Sequence, residues 1–235
     1  MSIIGLWARR CGKWLAGIVA VMALAQIVFF LQKMKQAASL EETFNGSYFA
    51  LFGFLAAIAF MLVFALKGRD GRARTNYTLR RLGMTPQKFF FLRAVHNTLC
   101  FLILWGVELL VACGLCLVYR ATFPELWENQ SMLLTFYRQP FLHGLLPLGD
   151  WYLYIRNILW IAIYGASTAL FSNSPSLILP LITSLLLIAP AEMGAGVPEV
   201  AITGGAAVLL LLIWMSTTKK GEEAVFDGRE VEENE

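Results

Sequence analysis

Glu108 is the one acidic residue deep inside an apolar run, eleven residues from either end of the stretch 97–119. On insertion scales an ionised carboxylate at the centre of a membrane helix costs at least about 2.5 kcal/mol, so it is expected to face protein or water, or to carry a proton. Two kinds of role suit it. Glu108 contacts a translocated substrate or locks a dimer through a hydrogen bond; alternatively it bonds internally to Ser167, Thr168, Thr183 or Ser184. Ser167, Thr168 and Thr183, in other apolar runs, join it as candidates for a translocation pathway or an intramembrane polar contact.

Catalytic constellations are weaker. Gly165-Ala-Ser167 has the start of a serine nucleophile motif, but Ala169 stands where the second glycine belongs and no His follows in a later apolar run. Small residues in a membrane helix are far more often a packing face, as Gly53 with Ala57 and Gly165 with Ala169 suggest by their four-residue spacing. The Glu41-Glu42 pair resembles the start of a glutamate protease motif, but no Arg follows at the needed spacing. Cys11, Cys100, Cys113 and Cys116 lie in or beside apolar runs, and no His or carboxylate completes a zinc site around them. They read as packing residues. No Gly-x-x-x-x-Gly-Lys-Ser/Thr loop occurs, so any ATP is expected on another chain.

The elements that must position these groups follow from composition. Of 235 residues, 58% are hydrophobic and 15% charged, against roughly 45–50% and about 25% in soluble domains. Apolar runs at 14–32, 48–66, 97–119, 153–171, 175–191 and 199–216 are each of a length to cross a hydrocarbon layer of about 30 Å as a helix. The expected fold is an all-α membrane protein with six transmembrane helices in one permease domain, 1–216. An acidic tail, 217–235, follows as a short disordered end. The first run is too long for the core of a cleaved signal peptide. Pro180 and Pro190 interrupt the fifth run, and Gly194, Gly196 and Pro198 follow it, so its outer end is expected to be broken or re-entrant.

Charge placement orients the spans. A net charge of +3 says little, but 14 of the 19 Lys and Arg residues lie on one alternating set of segments. Arg9, Arg10 and Lys13 precede the first span; Lys67, Arg69, Arg72, Arg74, Arg80, Arg81, Lys88 and Arg93 lie between the second and third; Lys219, Lys220 and Arg229 follow the sixth. Both termini and the 67–96 segment are therefore expected in the cytoplasm. The cations form no single patch of the kind a nucleic-acid binder needs.

Ile3–Lys13 interleaves Ile3, Ile4, Leu6, Trp7 and Cys11 with basic residues, which suits either a short interfacial helix or the basic flank of the first span. In the 67–96 segment, Thr75 can cap a short helix with Tyr77, Leu79 and Leu82 along one edge beside Arg80 and Arg81. Gly83 supplies a stop, Thr85 recaps, and Pro86 suits the first position of a new helix. From Pro86 to Tyr119 no breaker intervenes except Gly106 and Gly114, so a helix of about 50 Å is expected to project beyond the bilayer. A rigid lever with a crosswise helix at its tip suits a membrane subunit that receives movement from a soluble partner; an ordinary basic loop attracted to anionic lipid is the alternative. In the 120–152 segment, Pro124-Glu125 begins a possible helix with Arg138 near its end, resting in the outer interface or forming a lid. His143, between Pro140 and Pro147, is expected to be solvated.

This layout resembles the permease subunits of ABC-2 type ATP-binding-cassette exporters. The matching features are Ile3–Lys13, the Tyr77–Gly83 helix before Thr85-Pro86, the broken 190–198 stretch, and Leu79-Arg-Arg-Leu-Gly-Met-Thr-Pro as the one sequence-like element. The long 120–152 segment departs from the family's compact pattern. The resemblance implies that Tyr77, Leu79, Arg80, Arg81, Leu82, Gly83 and Met84 form a coupling helix on a separate ATPase, which carries the ATP and Mg while this chain carries no cofactor. It also implies a second permease copy or a related permease as partner, membrane lipid around both, and a bacterial plasma membrane as the location. The competing reading is a noncatalytic membrane regulator, immunity factor or assembly protein with no ATPase. Enzymatic activity in this chain, like nucleic-acid binding, is not expected.

Overall fold

A computed structural model describes residues 3–36, 39–69, 86–126, 131–149 and 151–171, with Gly204, Gly205, Val208 and Met215. The expected coupling helix at Tyr77–Met84, Thr183, the 175–191 span, the broken 190–198 stretch, most of the 199–216 span and the acidic tail lie outside the described residues. Among the described residues the regular elements are all helical: α1 (Ile3–Met34), α2 (Leu40–Gly46), α3 (Phe49–Arg69), α4 (Pro86–Thr122), a 3-10 turn (Pro124–Leu126), α5 (Ser131–Arg138), α6 (Pro140–Leu145) and α7 (Trp151–Phe171). Cys11–Met34 and Lys88–Thr122 are long and apolar enough to cross a membrane. Leu40–Gly46 with Phe49–Phe64, bent by 43°, makes a third if the pair counts as one span.

Of the long helices, α4 follows expectation, while α1 and α7 depart from it. α4 begins at Pro86 and runs 37 residues without a break, which at 1.5 Å per residue is about 55 Å. Proline at the first helical position loses no intrahelical bond, because the first N–H groups have no partner there in any case. α1 continues unbroken for 32 residues from Ile3, so Ile3–Lys13 is not set apart as a separate interfacial helix. No proline divides it from the first span, and Gly12 stays within the helix. At the other end, α7 covers the expected 153–171 run but is not among the helices apolar enough to span. Arg156, Asn157 and a high content of Trp and Tyr lower its hydropathy.

The long helices alternate in direction. Phe30, late in α1, shares a cluster with Phe49 at the start of α3, whereas Cys11 and Leu15, early in α1, share another with Phe60 and Phe64 late in α3. Residue numbers therefore rise in one helix as they fall beyond its neighbour. α3 and α4 pair the same way, Phe60 against Phe101 with centroids 5.7 Å apart and Phe64 against His96 at 6.5 Å. So do α4 and α7, through Phe101 and Tyr164 at 5.4 Å and Asn97 and Thr168 near the Pro86 end. α1 thus runs parallel to α4, with α3 and α7 opposed to both.

Buried positions trace one stripe on each helix. On α4 it reads Phe101, Leu104, Glu108, Ala112, Leu115, Tyr119, and on α3 Phe49, Gly53, Ala56, Phe60, Phe64. These three- and four-residue steps are the helical period. At the end away from Pro86, a cluster of Phe30, Phe44, Phe49, Phe136, Leu142 and Leu145 closes the bundle under the short helices. Phe44 sits 4.9 Å from Phe30 and 5.5 Å from Phe49, centroid to centroid, fastening α2 to α1 and α3. Between α2 and α3, Tyr48 holds φ at 54°, a left-handed backbone that costs a non-glycine residue roughly 1–2 kcal/mol.

The 120–152 segment corrects the single helix expected from Pro124 to Arg138. Pro124–Leu126 is a 3-10 turn rather than the start of an α-helix, Ser131–Arg138 is α-helical, and residues 127–130 between them lie outside the described residues. Gln139 then caps α6: its side-chain oxygen accepts from the Leu142 N–H at 2.8 Å, and Pro140 takes the first helical position. Asn157 donates to the Gly144 carbonyl at 2.6 Å, which ties α7 to this cap. Arg138 and Glu41 approach to 3.9 Å between α5 and α2. The two connections expected on one side of the membrane thus meet in one layer.

Candidate functional site

Glu108 falls on the inward stripe of α4, so the helical period aims its carboxyl at α1 and α3 rather than at lipid. It is 7% exposed, and Gln26, on the inward stripe of α1, is fully buried. The Gln26 amide nitrogen donates to Glu108 Oε1 at 3.5 Å and to the Phe49 carbonyl at 3.2 Å. One carboxamide thereby links three helices. Gln26 Oε1 is buried with no hydrogen-bond partner among the described residues.

Gly53 completes this node. A Cβ there would run into Glu108 Oε1, with the carboxyl carbon only 2.7 Å away. Glycine suits this position because the Glu108 carboxyl, as it lies, fills the volume that a side chain would take. The Gly53–Ala57 spacing thus does serve packing within one subunit, but its partner at Gly53 is a carboxylic acid rather than a second helix backbone. Ala57 packs at the edge of the cluster formed by Ala56, Phe60, Phe101 and Leu104.

Ser167 and Thr168 do not join Glu108. Asn97 donates its amide to Thr168 Oγ1 at 2.9 Å, eleven residues and therefore about 16 Å along α4 from Glu108. Thr168 in turn donates toward the Tyr164 and Gly165 carbonyls at 2.8 and 3.0 Å, and Ser167 donates to the Tyr164 carbonyl at 3.1 Å. Such bonds to the preceding turn satisfy small hydroxyls inside helices. Neither of these two hydroxyls bonds to Glu108; its polar partner is Gln26.

A close approach supports this second node. A Cβ on Gly165 would collide with Thr98 Oγ1 and come within 2.7 Å of the Thr98 nitrogen and 2.8 Å of its Cα. α4 and α7 therefore touch backbone to backbone there, and Ala169, one turn on, is almost wholly buried. His96 is buried beside this node on the α3 side, with its ring 6.5 Å from Phe64 and Nε2 3.8 Å from Cys100 Sγ.

Gln26, His96 and Asn97 were not singled out by residue type. Gln26 nevertheless carries a signal: it falls in the register Cys11, Leu15, Met22, Gln26, Phe30, Met34 that α1 buries. A lone amide in that register must find a partner inside the bundle. At the capped end, His143 is half-buried rather than solvated, its ring edge-on to Tyr137 with centroids 5.4 Å apart.

The chemistry on offer is binding and positioning. The Glu108 node presents a carboxyl, a carboxamide and a backbone carbonyl in an apolar setting, suited to holding a proton or a hydrogen-bond donor. Among the described residues no group of three His, Cys, Asp or Glu side chains could hold a metal ion, and the four cysteines form no disulfide.

No family model matches the chain, and no curated protein or solved structure does so either.

Proposed function

We propose that this chain is the membrane-spanning subunit of an ATP-driven transporter of the ABC-2 exporter type, with six spans, both termini in the cytoplasm and a bacterial plasma membrane as its setting. A separate ATPase binds ATP and Mg, and its closure pushes on Tyr77, Leu79, Arg80, Arg81, Leu82, Gly83 and Met84. A second permease copy or a related permease completes the pathway. The observation that carries this reading is α4: 37 unbroken residues beginning at Pro86, immediately after that segment. About 55 Å of helix exceeds the hydrocarbon core by about 25 Å.

The same helix supplies the transmission. Force applied before Pro86 meets first the Asn97–Thr168 bond and the Thr98–Gly165 contact, which seize α7, and then the Glu108–Gln26 bond, which seizes α1. A rigid rod with polar fasteners at two depths moves its neighbours together. In the proposed cycle, Glu108 lies beside the pathway and changes partner as α4 shifts against α1.

The test is to purify the full chain from its native membrane and ask whether an ATP-binding-cassette ATPase comes with it. Association, with ATP hydrolysis that responds to the chain, supports the proposal. A chain that inserts normally and associates with no such ATPase would fit the regulator or immunity reading instead.

A further inference from the structure

Along the faces of α1 and α3 runs a groove of about 580 Å³, walled by Trp14, Val21 and Leu55, with Gly17, Ala56 and Ala59 among its small lining residues. Its one charged lining residue is Lys13, at one end; Ala25 and Phe52 line the other. Arg9, also exposed, lies one helical turn before Lys13. At the far end Phe52 stacks on Phe29. The shape is an open apolar groove with a cation at one end.

We propose that this groove holds one acyl chain of an anionic phospholipid, with its phosphate at Lys13 and Arg9. Length decides between a lipid and a second protein helix. From Lys13 to Ala25 the groove follows twelve residues of α1, or about 18 Å, close to the roughly 15 Å depth of one leaflet. A packed helix would need a seam along the whole 24-residue stretch Cys11–Met34, whereas the lining of this groove on α1 stops at Ala25, short of Met34. Cations at only one end match a headgroup of one leaflet, and juxtamembrane Lys and Arg attract anionic lipid. The inference is independent of any ATPase partner.

Native mass spectrometry of the detergent-purified full chain, titrated with phosphatidylglycerol or with phosphatidylcholine of the same acyl chains, tests it. The wild type is expected to retain phosphatidylglycerol several-fold more than phosphatidylcholine. Lys13→Gln should bring the two toward equal retention. Gly17→Leu should lower retention of both, and it does not threaten the fold, because a Cβ on Gly17 meets nothing within 4 Å. Equal retention by the wild type, an unchanged preference in Lys13→Gln, or full occupancy in Gly17→Leu would each overturn the proposal. So would a wild-type dimer that Gly17→Leu converts to monomer without altering lipid retention.

Discussion

The carboxyl of Glu108 occupies the space over Gly53 that a side chain on α3 would otherwise fill. A single acid in the middle of α4 is thus fitted to a single missing side chain on its neighbour, and both sit beside the one amide of α1 that reaches across. The pairing explains why an apolar stripe tolerates Glu108 at this depth.

Gly53→Ala is expected to destabilise the protein by about 1–3 kcal/mol, the usual cost of overpacking a filled interior. Gly106→Ala and Gly114→Ala in α4 are the controls, since a Cβ at either meets nothing within 4 Å. Both should be neutral or stabilising by up to about 1 kcal/mol through helix propensity. Combining Gly53→Ala with Glu108→Ala should cost less than the sum of the two single changes. Unfolding in detergent, followed by circular dichroism across the double-mutant cycle, measures this coupling, and strict additivity would refute the contact.

Gly165→Ala should be worse than Gly53→Ala. The obstacle at Gly53 is the end of a side chain, which can swing aside, whereas Gly165 faces the Thr98 backbone. Separation of α4 from α7 is the only relief, so a loss of at least about 3 kcal/mol is expected, beyond ordinary overpacking. The ranking of the two variants in one unfolding series is the check; Gly165→Ala matching Gly53→Ala would contradict the backbone contact.

Gln26→Leu removes the donor shared by Glu108 and the Phe49 carbonyl. Polar contacts between membrane helices are worth roughly 0.6 to 2 kcal/mol, and a loss in that range is expected. Glu108→Gln is different in kind: it keeps the size and an accepting oxygen but removes the acid. Assembly should survive it while transport by the reconstituted complex falls. Wild-type transport by Glu108→Gln would take the carboxyl out of the mechanism.

Helix period and capping made the framework legible from the residues. Pro86 announced the start of α4, and its long apolar run held no breaker except Gly106 and Gly114. The small pairs at Gly53 and Gly165 marked real close contacts, because nothing else permits helices, or a helix and a buried carboxyl, to approach so nearly. The partners of those glycines were not legible, since residue type does not say which helix stands opposite. Glu108 could equally have met Ser167 or Thr168 until the order α1, α3, α4 around it put Gln26 within reach. The cap was misjudged because the Gln139-Pro140 helix start went unread. A glutamine side chain that accepts from the third residue onward, followed by proline, was the available signal.

The most direct test of the coupling role joins function to a segment outside the bundle core. Full-length chain carrying changes at Arg80, Arg81 and Leu82 should insert in the membrane at wild-type levels, yet neither retain an ATP-binding-cassette ATPase on purification nor stimulate its ATP hydrolysis, both of which the wild type should do. Unchanged co-purification and unchanged stimulation in that variant would contradict the account.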